Sequence, residues 1–152
     1  PFVDKNTIED QKCHKLEFNE GIMLADLISV HMPMNNKTKN LIAKDQFDNM
    51  KKNCIIVNTA RGGIINEDDL FLALKNKKIL GAGLDVFVEE PPQKESPLFK
   101  LDNIILSPHN AALTLECRRR MSVETAENIA FYLEDHSKLN LQNIINRKNL
   151  NL

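Results

Sequence analysis

Cysteine is scarce and follows no pairing pattern: Cys13, Cys54 and Cys117 are odd in number, far apart and without a CxxC spacing. This argues against a disulfide framework or a zinc site, and it reads as three packing residues in a reduced, cytoplasmic interior. An excess of one charge is missing too. Twenty basic residues stand against 21 acidic ones, a net charge of −1 with no run of five like charges, so neither a nucleic-acid partner nor a membrane surface is expected. No apolar stretch nears the roughly 20 residues that span a bilayer. Internal repeats, low-complexity segments and an initiator methionine are also absent; the chain opens "PFVDKNT" as though already in mid-fold, which points to a fragment.

What remains is 152 residues, 42% of them hydrophobic, enough for one domain with a real core. Short apolar runs alternate with amphipathic segments, the pattern of parallel strands joined by crossover helices and hence of an α/β, Rossmann-like sheet. The runs at 27–32, 54–58, 79–87 and 103–108 are rich in aliphatic residues and too short for buried helices. Their nearly continuous apolarity predicts cover on both faces. "NEDDLFLALKNKK", from Asn66, has acids in its first turn, Leu70, Ala73 and Leu74 on one face and lysines at its end, which marks a helix. The longest helix is expected over 114–135, where Ala126, Ile129, Ala130 and Leu133 recur at helical spacing. "EEPPQKESP" (89–97) is a loop. Residues 1–136 read as a partial dinucleotide-binding domain and 137–152 as a polar, loosely ordered tail.

In an open parallel sheet the chemistry collects beyond the carboxyl ends of the strands. Those positions hold His31-Met32-Pro33, then Thr59-Ala60-Arg61-Gly62-Gly63, then Asp85 with Glu89 and Glu90, and finally Pro108-His109-Asn110. Arg61 stands out, because a guanidinium at the end of a buried strand either reaches back to water or is aimed at an anion.

Four blocks, "HMPMNNKTKNLI", "VNTARGGIINEDDL", "GAGLDVFVEEPP" and "SPHNAALT", resemble in order and spacing the second half of the cofactor domain of the D-isomer-specific 2-hydroxyacid dehydrogenases. The similarity runs over 24–133. It implies a catalytic set of Arg61, Glu90 and His109, and a cofactor cleft formed by Met32, Thr59, Ala60, Arg61, His109 and Asn110, with Asp85 accepting a hydrogen bond from the nicotinamide carboxamide. The opening "PFVDK" resembles the stretch just after the acid that binds the adenosine ribose. That acid, the glycine fingerprint before it, the first strands and the substrate domain therefore lie outside the resemblance. NAD is the implied cofactor; NADP stays open, because the residues reading the 2′ position follow the second strand of such a fold.

The residue types suit that chemistry. Oxidising a 2-hydroxy acid removes a hydroxyl proton as hydride leaves carbon, and an imidazole can take that proton and return it in the reverse reaction. A neighbouring carboxylate stabilises the imidazolium and fixes the tautomer; family spacing aligns Glu90, with Glu89 the alternative. Arg61 would hold the substrate carboxylate and polarise the adjacent carbonyl, with Gly62 and Gly63 letting the backbone approach closely. His31 reads as structural, with only its backbone near cofactor. The three arginines at 118–120 fit a solvated face better than a phosphate site. Two function classes follow: an NAD-dependent oxidoreductase acting on a D-2-hydroxy acid or its 2-keto form, a homodimer at full length, or an NAD(H)-sensing, corepressor-like interaction protein of the same fold.

Overall fold

The computed structural model describes residues 3–141 and 144–149. They fall into two compact units, one ending at His109 and one beginning at Asn110.

The first unit is built on a parallel sheet whose strands β1 (Leu27–Val30), β2 (Ile55–Asn58), β3 (Gly81–Leu84) and β4 (Ile104–Leu106) lie side by side in chain order. Register pairs Ile28 with Ile56, Ile56 with Ala82, and Ala82 with Ile104. The strands stop short of the apolar runs because polar and proline-bearing turns follow them. Pro33 and Pro108 have no N–H to offer a ladder.

Helices α1 (Lys5–Asp10), α2 (Phe18–Leu24), α3 (Lys44–Asn49) and α4 (Glu67–Lys75) punctuate the strands. The longest, α4, forms as the sequence predicts: the Asn66 side chain accepts the Asp69 N–H at 3.0 Å, three acids occupy the first turn, and Leu70, Ala73 and Leu74 are buried. Ile22 of α2, Phe47 of α3 and Leu98 of the 3-10 turn at Pro97–Lys100 join them against Val30, Ile56, Ala82 and Leu84. Helices of six or seven residues such as α1 to α3 offer too little periodicity to be recognised in advance, and α1 rests on its Asp4 cap with no buried side chain.

Cover on both faces, expected from the apolar strands, is not what the first unit shows. All of its core lies on one side. The opposite face carries Leu27 and Ile105, 61% and 77% exposed, with Ile55 and Val57 half-buried and Gly81 and Gly83 between them. Among the described residues the strand at Leu27–Val30 has a neighbour on one edge only.

In the second unit, α5 (Leu115–Glu134) occupies the stretch assigned to the longest helix, capped by Thr114, whose hydroxyl accepts the Cys117 N–H at 3.1 Å. Its stripe is not a core, however: Ile129 and Leu133 are exposed, and the half-buried positions are Cys117, Asn128, Ala130 and Phe131. The arginines at 118–120 are solvated, Arg120 lying 3.9 Å from Glu124 one turn on. Beyond the helix, His136–Lys138 forms a 3-10 turn and Leu139 is buried. Among the described residues no helix is long and apolar enough to cross a membrane.

Two leucines of α4 separate core packing from helix propensity. Leu70 is fully buried and Leu72 half exposed, so in urea denaturation Leu70→Ala should lower the unfolding free energy by about 2–5 kcal/mol and Leu72→Ala by less than about 1 kcal/mol.

Candidate active site

A buried asparagine shapes the turn after β2. Asn58, only 2% exposed, accepts the Ala60 N–H on Oδ1 at 3.0 Å and donates from Nδ2 to the Arg61 carbonyl at 2.9 Å. One side chain thus satisfies two backbone groups and closes the turn that carries Arg61. The guanidinium is left exposed, bonded through Nη1 to the Ala60 carbonyl at 2.6 Å, and among the described residues no carboxylate pairs with it. It is a cation at the mouth of the turn whose charge no acid among the described residues neutralises.

The two glycines that follow have separate duties. Gly63 has φ +79°, a conformation that side chains resist. Gly62 lies against the turn after β3: a Cβ there would meet the Phe87 carbonyl oxygen at 1.8 Å and its carbon at 2.1 Å. The close approach anticipated for this pair is thus, at Gly62, an approach of one strand-end turn to the next.

That second turn carries the acid of a dyad. Glu90 accepts the Phe87 N–H on Oε1 at 3.0 Å, and its Oε2 lies 2.7 Å from His109 Nδ1. Because the carboxylate can only accept, Nδ1 carries the proton and Nε2 is the nitrogen left for exchange. The bond from His109 and, secondarily, the Phe87 N–H hold the Glu90 carboxyl below its ordinary 4.5. A lowered carboxyl favours the folded arrangement above its ordinary value and loses that advantage as pH falls through the lowered one, so the dyad is intact at neutral pH. Glu89, the alternative acid, is engaged instead by Gln93 Nε2 at 2.8 Å. His109 itself has φ +52°, which only a minority of non-glycine residues adopt.

These groups surround one cleft of about 760 Å³ lined by His31, Met32, Pro33, Met34, Thr59, Ala60, Arg61, Gly62, Phe87, Val88, Glu90 and His109. Its size falls within the range of small-molecule sites. His31 belongs to the wall, its Nε2 2.7 Å from Ser29 Oγ. Asp85 does not; it is buried, with Ser107 Oγ donating to its carboxylate at 2.5 Å. Asn110 opens the second unit, where its carbonyl accepts the Leu113 N–H. Asn58 went unnoticed as a site-forming residue, although an amide at the end of an apolar run, two residues before a turn, is a recognisable signal. Among the described residues no group of acids, histidines and cysteines is arranged to hold a metal ion.

Residues 1–111 match the model of the D-isomer specific 2-hydroxyacid dehydrogenase, NAD binding domain. The chain is 42% identical over 129 residues to a D-3-phosphoglycerate dehydrogenase of Archaeoglobus fulgidus, covering 85% of this chain and 24% of that protein. It is 40% identical over 119 residues to a glyoxylate reductase of Korarchaeum cryptofilum, covering 78% and 36%. The D-lactate dehydrogenase of Lactobacillus jensenii, solved with NAD+, superposes with a TM-score of 0.76 at 28% identity over 84% of this chain and 42% of that one. The chain thus spans less than half the length of each.

The Gly62 contact is open to a direct test against Gly21, around which nothing lies within 4 Å. Gly62→Ala should destabilise by about 1–3 kcal/mol or more through overpacking, whereas Gly21→Ala, inside α2, should stabilise by about 0.5–1 kcal/mol. Thermal or urea denaturation of the two variants reads the difference in sign.

Proposed function

Since the chain belongs to the D-isomer specific 2-hydroxyacid dehydrogenase family, we propose that the protein carrying it interconverts a D-2-hydroxy acid and its 2-keto form with NAD(H). The observation that carries this reading is the Glu90–His109 pair, bonded at 2.7 Å in a cleft that also holds an arginine with no carboxylate partner among the described residues. Proton donor and anion anchor are the two things a keto acid needs from the protein. When bound, the nicotinamide supplies or accepts the hydride.

The cleft suits the nicotinamide half of a dinucleotide: Met32 and Pro33 offer an apolar wall, and Thr59, Ala60 and Arg61 line the opposite turn. Asp85, at the carboxyl end of β3, is proposed to accept the carboxamide hydrogen bond although it stands outside the cleft lining; Asn110 belongs to the second unit and has no part in this cleft. Arg61 binds the substrate carboxylate and draws electron density from the adjacent carbonyl. His109 gives its Nε2 proton to the carbonyl oxygen in reduction and takes it back in oxidation. Glu90 keeps the ring oriented through Nδ1 and stabilises the imidazolium. A homodimer of the protein carrying this chain belongs to the same reading.

A panel of small 2-keto acids with NADH is the first test, and turnover of at least one is expected. Binding of NADH with turnover of none would favour the sensing role instead. His109→Ala should reduce the rate by roughly 10²–10⁴, and Arg61→Ala should raise KM as well as lower kcat.

A pair of substitutions tests the dyad. Glu90→Gln removes the carboxylate that accepts from His109 Nδ1 and orients the ring, and kcat for keto-acid reduction should fall by about tenfold to a hundredfold. Glu89→Gln should leave it nearly unchanged. If neither substitution lowered kcat, the dyad would be wrongly assigned.

A further inference from the structure

One carboxylate outside the cleft is built into the support of the dyad. Glu67, the first residue of α4, is half-buried, and its Oε1 accepts the Val88 N–H at 2.6 Å, across 21 residues of chain. Next to that bond, the Phe87 N–H is taken by Glu90 and the Phe87 carbonyl rests on Gly62. The peptide units on either side of Phe87 are therefore held from three directions. Of the three, only Glu67 ties the turn to a helix of the core.

We propose that Glu67 is a positioning residue for the acid–base pair: by fixing the Val88 N–H it holds the 87–90 turn, and through that turn it holds Glu90 against His109 Nδ1. The proposal rests on reading Glu90 and His109 as the acid–base machinery. Glu67 does not line the cleft, so it acts on substrate only through the turn. It lies instead on a neighbouring cavity of about 210 Å³ with Val88, Glu89, Gln93 and Ser96.

The environment of Glu67 fits such a role better than that of a solvated helix-start acid. Burial raises its carboxyl above the ordinary 4.5, the Val88 N–H pulls it back, and Asp68 adds a like charge. A carboxylate kept beside another and partly out of water is costly, and the fixed Val88 N–H offsets part of that cost. Removing the side chain leaves Val88 without that acceptor and frees the turn to shift. Displacements of about 1 Å at a reacting group can cost on the order of 10² in rate.

The test compares Glu67→Ala with Glu67→Gln, which keeps an acceptor oxygen at the same reach. In the protein carrying this chain, Glu67→Ala should lower kcat for keto-acid reduction by about tenfold to a hundredfold and leave substrate KM within about twofold; Glu67→Gln should restore kcat. In a Glu90→Gln background Glu67→Ala should have little further effect, since both act through one group. Nitrogen NMR supplies a readout independent of turnover. The Val88 amide should lose exchange protection, and the His109 Nδ1 resonance should move in Glu67→Ala as it does in Glu90→Gln. Should no keto acid be turned over, the proposed reaction fails and the NMR comparison still decides the role of Glu67. A folded Glu67→Ala protein with an unmoved His109 resonance overturns the proposal, as does full additivity with Glu90→Gln. Should Glu67→Ala not fold, Glu67→Asp, which draws the acceptor back by one methylene, stands in for it with the same expected direction.

Discussion

The contact on which the rest of the cleft depends is the approach of the Gly62 backbone to the Phe87 carbonyl, closer than any Cβ would permit. It joins the turn after β2 to the turn after β3. The first carries the Arg61 guanidinium and the second carries Glu90, so the separation between a cation and a carboxylate is set by main chain against main chain. Backbone contacts of this kind have no rotamers to relax into. Asn58 supports the arrangement from beneath by satisfying both polar groups of the first turn with one amide.

The two acids near this contact show how environment divides similar side chains. Glu90 accepts an imidazole N–H and a peptide N–H, and its carboxyl is lowered. Glu67 loses water on burial and is raised, although it too accepts a peptide N–H. The difference lies in whether hydrogen bonding outweighs desolvation. Glu90 is therefore the more firmly anionic of the two, which suits a group facing a ring that must hold a proton.

Much of this was legible in the sequence. The strands announce themselves by short aliphatic runs, and α4 by its cap, its acidic first turn and its apolar spacing, because all of these are local signals. Arg61, Glu90 and His109 stand after successive runs, and parallel topology alone brings such positions to one edge. What was not legible depends on contacts distant in sequence. Glu67 reads as one of three acids at a helix start until its bond to Val88 is seen. Gly62 reads as a place of close backbone approach, but its partner is not known until Phe87 is seen against it. The stripe on α5 is real as a pattern, but a pattern states which side is apolar and not what lies against it.

The strand order has a consequence for where the core can be. In β1-β2-β3-β4 every connection steps to the next strand in the same direction, and parallel crossovers are right-handed almost without exception. A sheet wound one way with one hand places each crossover on the same side. The helices and the 3-10 turn between these strands accordingly meet in one cluster. That none of these three crossovers covers the other face is a matter of chirality and winding sense, and making its residues more apolar would not bring one of them onto it.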